Sequence, residues 1–547
     1  DVKLYVLQAK SMNQKEIFFG MKQINRAITA VFCAMAACVL LLILFAFETT
    51  AFSGKVNFVL PQWSMMIIGL AVLFAAYAVS EGFGRGMRVG RARRIEPVFW
   101  LLVFAAQASV SFFTYFMPPW DAGKVIENAY AIAAYSEPSF LDNMYFSRCS
   151  NNIVLTLLDA DLMRLFRAVV GDAGIERCTY VLIVAQCAVS ACTGWLTQWT
   201  ARSMTDSRRF SWAVAVGYVL LVSLSPWVMI PYSDGFALLF PMLTLALYIR
   251  QQTAKNKVLC WAAIGAAAAL GYWMKPQGVI MLIAVGIVET ARLLSEGAFS
   301  AWLKRFGAMA AVLLILVVPV KRVIISASPF EIDPEADIGV LHYVMLGCNQ
   351  ETDGTVSHED KVSSYGIERK AERTQMQLET IADRLRQMHE SGTFFDHLKK
   401  KTLVNYADGT FAWEELAYPA SVVEEKDGVI SPLLRSIIWA DGSRHSAFAV
   451  MLHSIWMGVL ALCVLALPAY HESEKHKSEC TLAAMMLALI GITLFETIFE
   501  ARARYLFIYA PVYLTVGMMG LRACVERIKK KRRPVCGFAD DADKTAG

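Results

Sequence analysis

The sequence predicts an all-α, polytopic membrane protein with about 12 (12–14) transmembrane helices, and three observations predict it. Of 547 residues, 56% are hydrophobic and only 18% are charged. The mean hydropathy is +0.45, well above that of a soluble chain of this size. Apolar runs of roughly 20 residues, enough to cross about 30 Å of hydrocarbon, recur along the chain with few charges in them. The net charge of +5 does not describe a nucleic-acid face, because the basic residues gather in short loops and the tail. No DNA- or RNA-binding signature is present.

The first apolar run follows Asp1 to Arg26, a stretch without the charge, apolar core and small-residue cleavage site of a signal peptide, so this run is read as a retained span. Expected spans, in order, are 27–47, 62–80, 97–117, 178–198, 211–230, 236–250, 258–275, 278–292, 306–323, 446–470, 480–500 and 505–523. Lys10, Lys15, Lys22 and Arg26 precede the first, Arg85, Arg88, Arg91, Arg93 and Arg94 fill the second loop, and Lys529 to Arg533 follow the last. Positive loops stay in the cytoplasm, which puts both termini inside. The predicted organisation is an N-terminal transmembrane module, 1–323, with an outward loop at 118–177. An extracytoplasmic, mainly helical domain follows at 324–445, then C-terminal spans at 446–526 and a basic cytoplasmic tail at 527–547.

Residues 151–170 look apolar but contain Asp159, Asp161, Arg164 and Arg167, each costing about 2.5–3.5 kcal/mol at the bilayer centre. A crossing there would also put Arg202, Arg208, Arg209 and the basic tail outside. The segment is therefore read as interfacial or partly inserted; the alternative is that it crosses and a neighbouring run folds as two short spans.

Candidate chemistry lies at the outward ends. Pro118-Pro119-Trp120-Asp121 leaves the third span, and the helix-period residues Val125, Ala129, Ile132 and Ala133 predict an interfacial helix after it. Asp121 is either an acid poised at the membrane surface or the N-terminal cap of that helix, with Trp120 an aromatic-belt residue. Asn151-Asn152, Tyr232-Ser233-Asp234-Gly235, Lys275-Pro276-Gln277 and Glu500-Ala501-Arg502-Ala503-Arg504-Tyr505 fall on the same side. A cation at headgroup depth suits a phosphate, and a carboxylate beside it can take a proton from a hydroxyl. Snorkelling to lipid headgroups is the plain alternative for Lys275, Arg502 or Arg504 taken singly. Two arginines in a short outward loop nevertheless run against the charge rule that orients the chain.

Other strings indicate less. Asp159-Ala160-Asp161 lacks the α/β domain of nucleotide-sugar enzymes, the eight histidines show no metal-ligand spacing, and no Walker loop or GxGxxG motif is present. The Asp540-Asp541-Ala542-Asp543 tail reads as disordered. Cys149 and Cys348, both outside the expected spans, are either one disulfide or two free thiols.

In their order and common sidedness, these strings resemble the GT-C superfamily of membrane glycosyltransferases, near protein O-mannosyltransferase and aminoarabinose transferase. The resemblance extends to the strings at 145–152, 273–277, 341–349 and 407–413, the last two looking like the external part of Gram-positive members. It implies a bacterial cell-membrane enzyme that moves a sugar from a polyprenyl-phosphate donor to an envelope glycan, glycolipid or protein acceptor, with inversion. It implies Asp121 as base, Lys275, Arg502 and Arg504 as donor-phosphate cations, and Glu127, Asn151, Asn152, Tyr232, Asp234, Gln277, His342 and Tyr505 as pocket residues. Where several members carry a second acidic residue, this chain has Ala122, so either Asp121 acts without the pair or Glu127 or Asp234 supplies that charge, and a divalent cation stays open. The competing readings are a flippase of lipid-linked saccharides, which predicts charges near mid-span and duplicated halves, and a non-catalytic scaffold using 324–445.

Overall fold

The computed structural model describes residues 2–45, 60–84, 89–135, 141–474 (except 420, 422, 424, 425 and 427) and 478–531. Arg85, Arg88, Arg532, Arg533 and the acidic tail string lie outside the described residues. The protein is an all-α polytopic membrane protein. Among the described residues eleven helices are long and apolar enough to cross a membrane, and no sheet forms.

Helices α1 (Val2–Leu44), α2 (Gln62–Gly84) and α3 (Val89–Thr114) lead to the shorter α4 (Trp120–Ala134), α5 (Asn143–Arg148) and α6 (Ile153–Val170). Then come α7 (Ile175–Thr205), α8 (Arg208–Tyr218), α9 (Ser233–Ala237), α10 (Leu239–Thr253), α11 (Lys257–Met274), α12 (Ile280–Ser295), α13 (Phe299–Ile315) and α14 (Lys321–Ser326). The polar segment that follows folds as α15 (Gly339–Gly347), α16 (His358–Gly366), α17 (Lys370–Ser391), α18 (Phe394–Tyr406), α19 (Trp413–Leu416) and α20 (Ile430–Ile438). Helices α21 (His445–Cys463), α22 (Ala466–Ser473), α23 (Glu479–Ile498) and α24 (Ala510–Lys531) complete the chain.

Without a strong hydrophobic drive between spans in lipid, close backbone approach holds them. At the α2–α21 crossing a Cβ on Gly69 would lie 1.7 Å from the Ser454 carbonyl oxygen, so only glycine fits. The expected span 211–230 is not one of the eleven. Helix α8 continues as a π turn, Val219–Ser223, and then breaks into the 3₁₀ turn Pro226–Met229, because proline cannot continue the hydrogen-bond ladder. Expected span 446–470 likewise divides into α21 and α22.

Helix α6 is not one of the eleven either. It packs against α4 and α7. Arg164 binds Asp161 and the Ile132 carbonyl, and Arg167 binds Asp172 and the Ala173 carbonyl, which keeps both guanidinium groups at the protein's edge. Asp159 is fully buried with both oxygens unpartnered, and burial raises its carboxyl well above the usual range.

The polar segment is clamped to the end of α23 by Lys401 of α18. This buried ammonium donates to the carbonyls of Gly347, Thr497 and Phe499 at 2.7–2.9 Å, serving the orphan carbonyls of a helix C-terminus. Helix α17 is mostly exposed and buries Arg373, Gln377 and Met388. Cys149 and Cys348 are both free thiols.

Candidate active site

Asp121 is placed by a backbone turn. Trp120 has φ 51°, in the left-handed region that costs a residue with a Cβ about 1–2 kcal/mol. Its indole is fixed from three sides: Nε1 donates to the Leu416 carbonyl at 2.9 Å, and the ring meets Tyr232 and Trp227 at centroid distances of 5.2 and 6.5 Å. Helix α4 starts there and buries Val125, Ala129 and Ile132, as its period predicted, against the protein. The N-cap position is Pro119 and no side chain caps the helix, so Asp121 lies in the first turn and is not the cap. Burial, with Glu500 adding to it, holds the Asp121 carboxyl above its ordinary pKa; Arg504, Lys361 and a hydrogen bond from Tyr145 oppose that rise without cancelling it.

Around this carboxylate runs a polar chain. Asn152 Nδ2 donates to Tyr145 Oη at 2.6 Å, leaving the tyrosine hydroxyl proton for Asp121. Tyr232 Oη donates to Asn152 Oδ1 at 3.4 Å, and the exposed Asn151 donates to the same oxygen at 3.1 Å. Burial pushes the Tyr145 phenol well above its ordinary value, which keeps it a donor.

Three expected cations arrive in three different states. Lys275 follows the end of α11 in extended backbone, before the 3₁₀ turn Pro276–Val279, and its buried ammonium pairs with Asp234 Oδ1 while lying 4.2 Å from the Tyr505 ring centroid. Arg502 is held by two carboxylates, Glu500 at 3.2 Å and Glu415 of α19. Arg504 stacks 4.8 Å from Trp120, 5.4 Å from Tyr505 and 5.8 Å from Tyr232, and its Nε and Nη1 are buried with no hydrogen-bond partner. Asp234 Oδ2 and Gln277 Oε1 are also buried and unpartnered, while Tyr505 donates to Glu500 at 3.1 Å.

Two expected pocket residues stand apart. Glu127 is exposed on another face of α4. His342 is buried and turned to Ser364 Oγ at 2.9 Å, with burial lowering its pKa. The cluster also contains residues given no role from the sequence: Tyr145, Lys361, Glu500, Glu415, and Trp227 and Trp413, which meet edge-on while Trp227 tilts against Trp120. The string at 407–413 proves to be a turn motif. Asp408 accepts from Thr410 N, Thr410 Oγ1 and Ala412 N at 2.6–2.8 Å, and Phe411 and Ala412 take positive φ, which sets Trp413 against Trp227. Among the described residues no three His, Cys, Asp or Glu side chains gather as a metal site, so a divalent cation has no assembled ligand set beside Asp121.

Gln186 of α7 anchors the loop that carries Tyr232 and Asp234. Its amide nitrogen lies 2.8–3.1 Å from the carbonyls of Trp227, Val228 and Ile230, and its oxygen accepts from Tyr232 N at 3.2 Å. A Cβ at Gly235 would fall 2.1 Å from this amide, which explains the glycine of Tyr232-Ser233-Asp234-Gly235. Gln186→Leu leaves these buried groups unpaired and is expected to cost about 2–3 kcal/mol. Thermal unfolding of the solubilised protein checks this, and an unchanged midpoint would remove Gln186 from the role.

The family described as "Conserved hypothetical integral membrane protein" matches residues 20–525. No curated protein matches the chain. Among solved structures it is similar to the archaeal oligosaccharyltransferase AglB from Archaeoglobus fulgidus, solved with an inhibitory peptide and a dolichol-phosphate. The identity is 11% and the TM-score 0.35, over 81% of this chain and 52% of that one. This chain thus spans about half the length of that protein.

Proposed function

The chain belongs to the family of conserved hypothetical integral membrane proteins, and we propose that within it this protein transfers a sugar from a polyprenyl-phosphate donor to a hydroxyl of an envelope glycan, glycolipid or protein. The observation that carries the reading is that Arg504, a guanidinium whose Nε and Nη1 have no hydrogen-bond partner, lies over the ring of Trp120, next in the chain to Asp121, and acts on that carboxyl by its charge. An arginine with unspent donors matches a phosphate oxygen pair, and a desolvated carboxylate under its influence matches a proton acceptor.

In the proposed step the acceptor hydroxyl oxygen attacks the anomeric carbon and its proton passes to Asp121. The bond from that carbon to the phosphate oxygen breaks, its electron pair leaves with polyprenyl phosphate, and a single displacement inverts the centre. Arg504 holds the departing charge. Lys275 shares it to the extent that phosphate competes with Asp234, and Arg502 acts by fixing Glu500, which in turn holds Tyr505. Asn152 and Tyr232 orient Tyr145 on the base, Tyr232 and Tyr505 offer ring faces, and Gln277 offers an unpaired amide oxygen. In this reading the site faces outward from a bacterial cell membrane and both termini are cytoplasmic.

The test uses the full chain in nanodiscs with a radiolabelled polyprenyl-phosphate sugar and an envelope fraction. Label entering a product other than the polyprenyl-phosphate donor, with equimolar release of polyprenyl phosphate, is the expected result. Movement of the intact donor between leaflets of proteoliposomes, without release, would replace the transferase by a flippase.

A further inference from the structure

A second charged feature lies at the far end of α11. That helix runs from Lys257 to Met274, so about 27 Å of helix separates its start from Lys275 and the Asp121 cluster. Helix α13 packs beside it, and Gly265 lies against the Met309 backbone at matching depth, so the two helices are parallel and begin at the same membrane face. Between their starts is an open groove of about 540 Å³, lined by Lys255, Asn256, Lys257, Val258, Ala301, Lys304 and Arg305.

The lining carries four cations and no carboxylate. Arg305 is oriented by one bond, Nη1 to Glu289 Oε1 at 2.8 Å, and the buried Glu289 also binds Arg292 and Tyr248. No ion pair involving Lys255, Lys257 or Lys304 occurs among the described residues. Two helix N-termini add their partial positive charge to the same spot. Beside the groove, Leu259 (65%), Leu303 (56%) and Phe299 (60%) are exposed, which makes an apolar border next to the cationic pocket.

We propose that this groove binds the phosphate headgroup of one anionic lipid in the leaflet opposite the Asp121 site, with its acyl chains lying along Leu259 and Leu303. Charge and surface fit this occupant together. The lysines and Arg305 suit a phosphate diester, and the adjoining apolar side chains suit its tails, which a soluble phosphate would leave uncovered. Snorkelling lysines alone would hold headgroups diffusely and without preference. A groove between two helix starts holds one lipid against exchange.

Native mass spectrometry of the detergent-solubilised full chain tests this with phosphatidylglycerol, phosphatidylcholine and inorganic phosphate as probes. The wild type is expected to retain one phosphatidylglycerol in preference to phosphatidylcholine. The combined variant Lys255→Gln, Lys257→Gln, Lys304→Gln is expected to lose that retention on the order of a hundredfold, at about fivefold per lysine. The corresponding Lys→Arg variant keeps it. Retention by the Gln variant equal to the wild type overturns the proposal, as does inorganic phosphate displacing the lipid at equal concentration. Where the Gln variant does not fold, salt titration of the wild type decides: phosphatidylglycerol retention must fall with ionic strength, and salt-insensitive retention overturns the site.

Discussion

Asp121→Asn is expected to lose turnover while still binding the proposed lipid-linked donor. Loss of a positioned general base removes about 10²–10⁴-fold of rate, and Asn keeps the volume and the contact with Tyr145 but cannot take the proton. The same carboxyl sets a pH profile. Its pKa in the folded protein is raised by burial, so the ionised, active form is present above that raised value and is lost as pH falls through it. The acid limb of kcat/KM therefore lies above the ordinary carboxylate range. Stability runs the other way: a raised carboxyl pKa means that the folded state binds its proton more tightly than the unfolded chain does. The penalty of the buried charge is absent below the unfolded pKa and fully present above the folded one. At neutral pH Asp121→Asn should therefore unfold no more easily than the wild type. Retained transfer by this variant, measured as polyprenyl phosphate released per sugar moved, ends the assignment of Asp121 as base.

The second large effect belongs to Arg504. Arg504→Met removes the guanidinium proposed to hold the departing phosphate, and a loss of about 10²–10³-fold in kcat is expected. Arg504→Lys recovers only part of it. A lysine brings a point charge but neither the two-pronged fork nor the planar face that stacks on Trp120 and Tyr505. Because Arg504 holds the Asp121 pKa down against burial, Arg504→Met also moves the acid limb of the pH profile further up. A loss of rate with the acid limb unmoved would separate Arg504 from Asp121 and leave it a packing residue. Arg502→Met tests a different role, since that guanidinium is already committed to Glu500 and Glu415.

Much of this architecture was legible in the sequence. Runs without charge gave most of the spans, the proline after Lys275 gave the break between α11 and α12, and the charges of 151–170 kept α6 out of the set of long apolar helices. The four polar loop strings do meet around Asp121. The sequence was less informative where the outcome depends on a distant partner. Arg502 and Arg504 are equivalent in a string of letters, yet Glu415, brought in from α19, pairs with Arg502 while Arg504 is left among rings. Gln186 sits in the middle of an apolar run and gives no signal, because its role is to satisfy three carbonyls of a loop some forty residues away. The break at Pro226 was written in the chain, but hydropathy averaged across it.

What the sequence alone determined is the partition of the chain into long apolar helices and polar connections, since transfer free energy sums over consecutive residues and needs no knowledge of neighbours in space. Which cation is paired, which is left with open donors, and which carboxylate is desolvated were decided only by tertiary packing. Coulomb and hydrogen-bond energies depend on distances between residues far apart in the chain, and a few ångströms settle them.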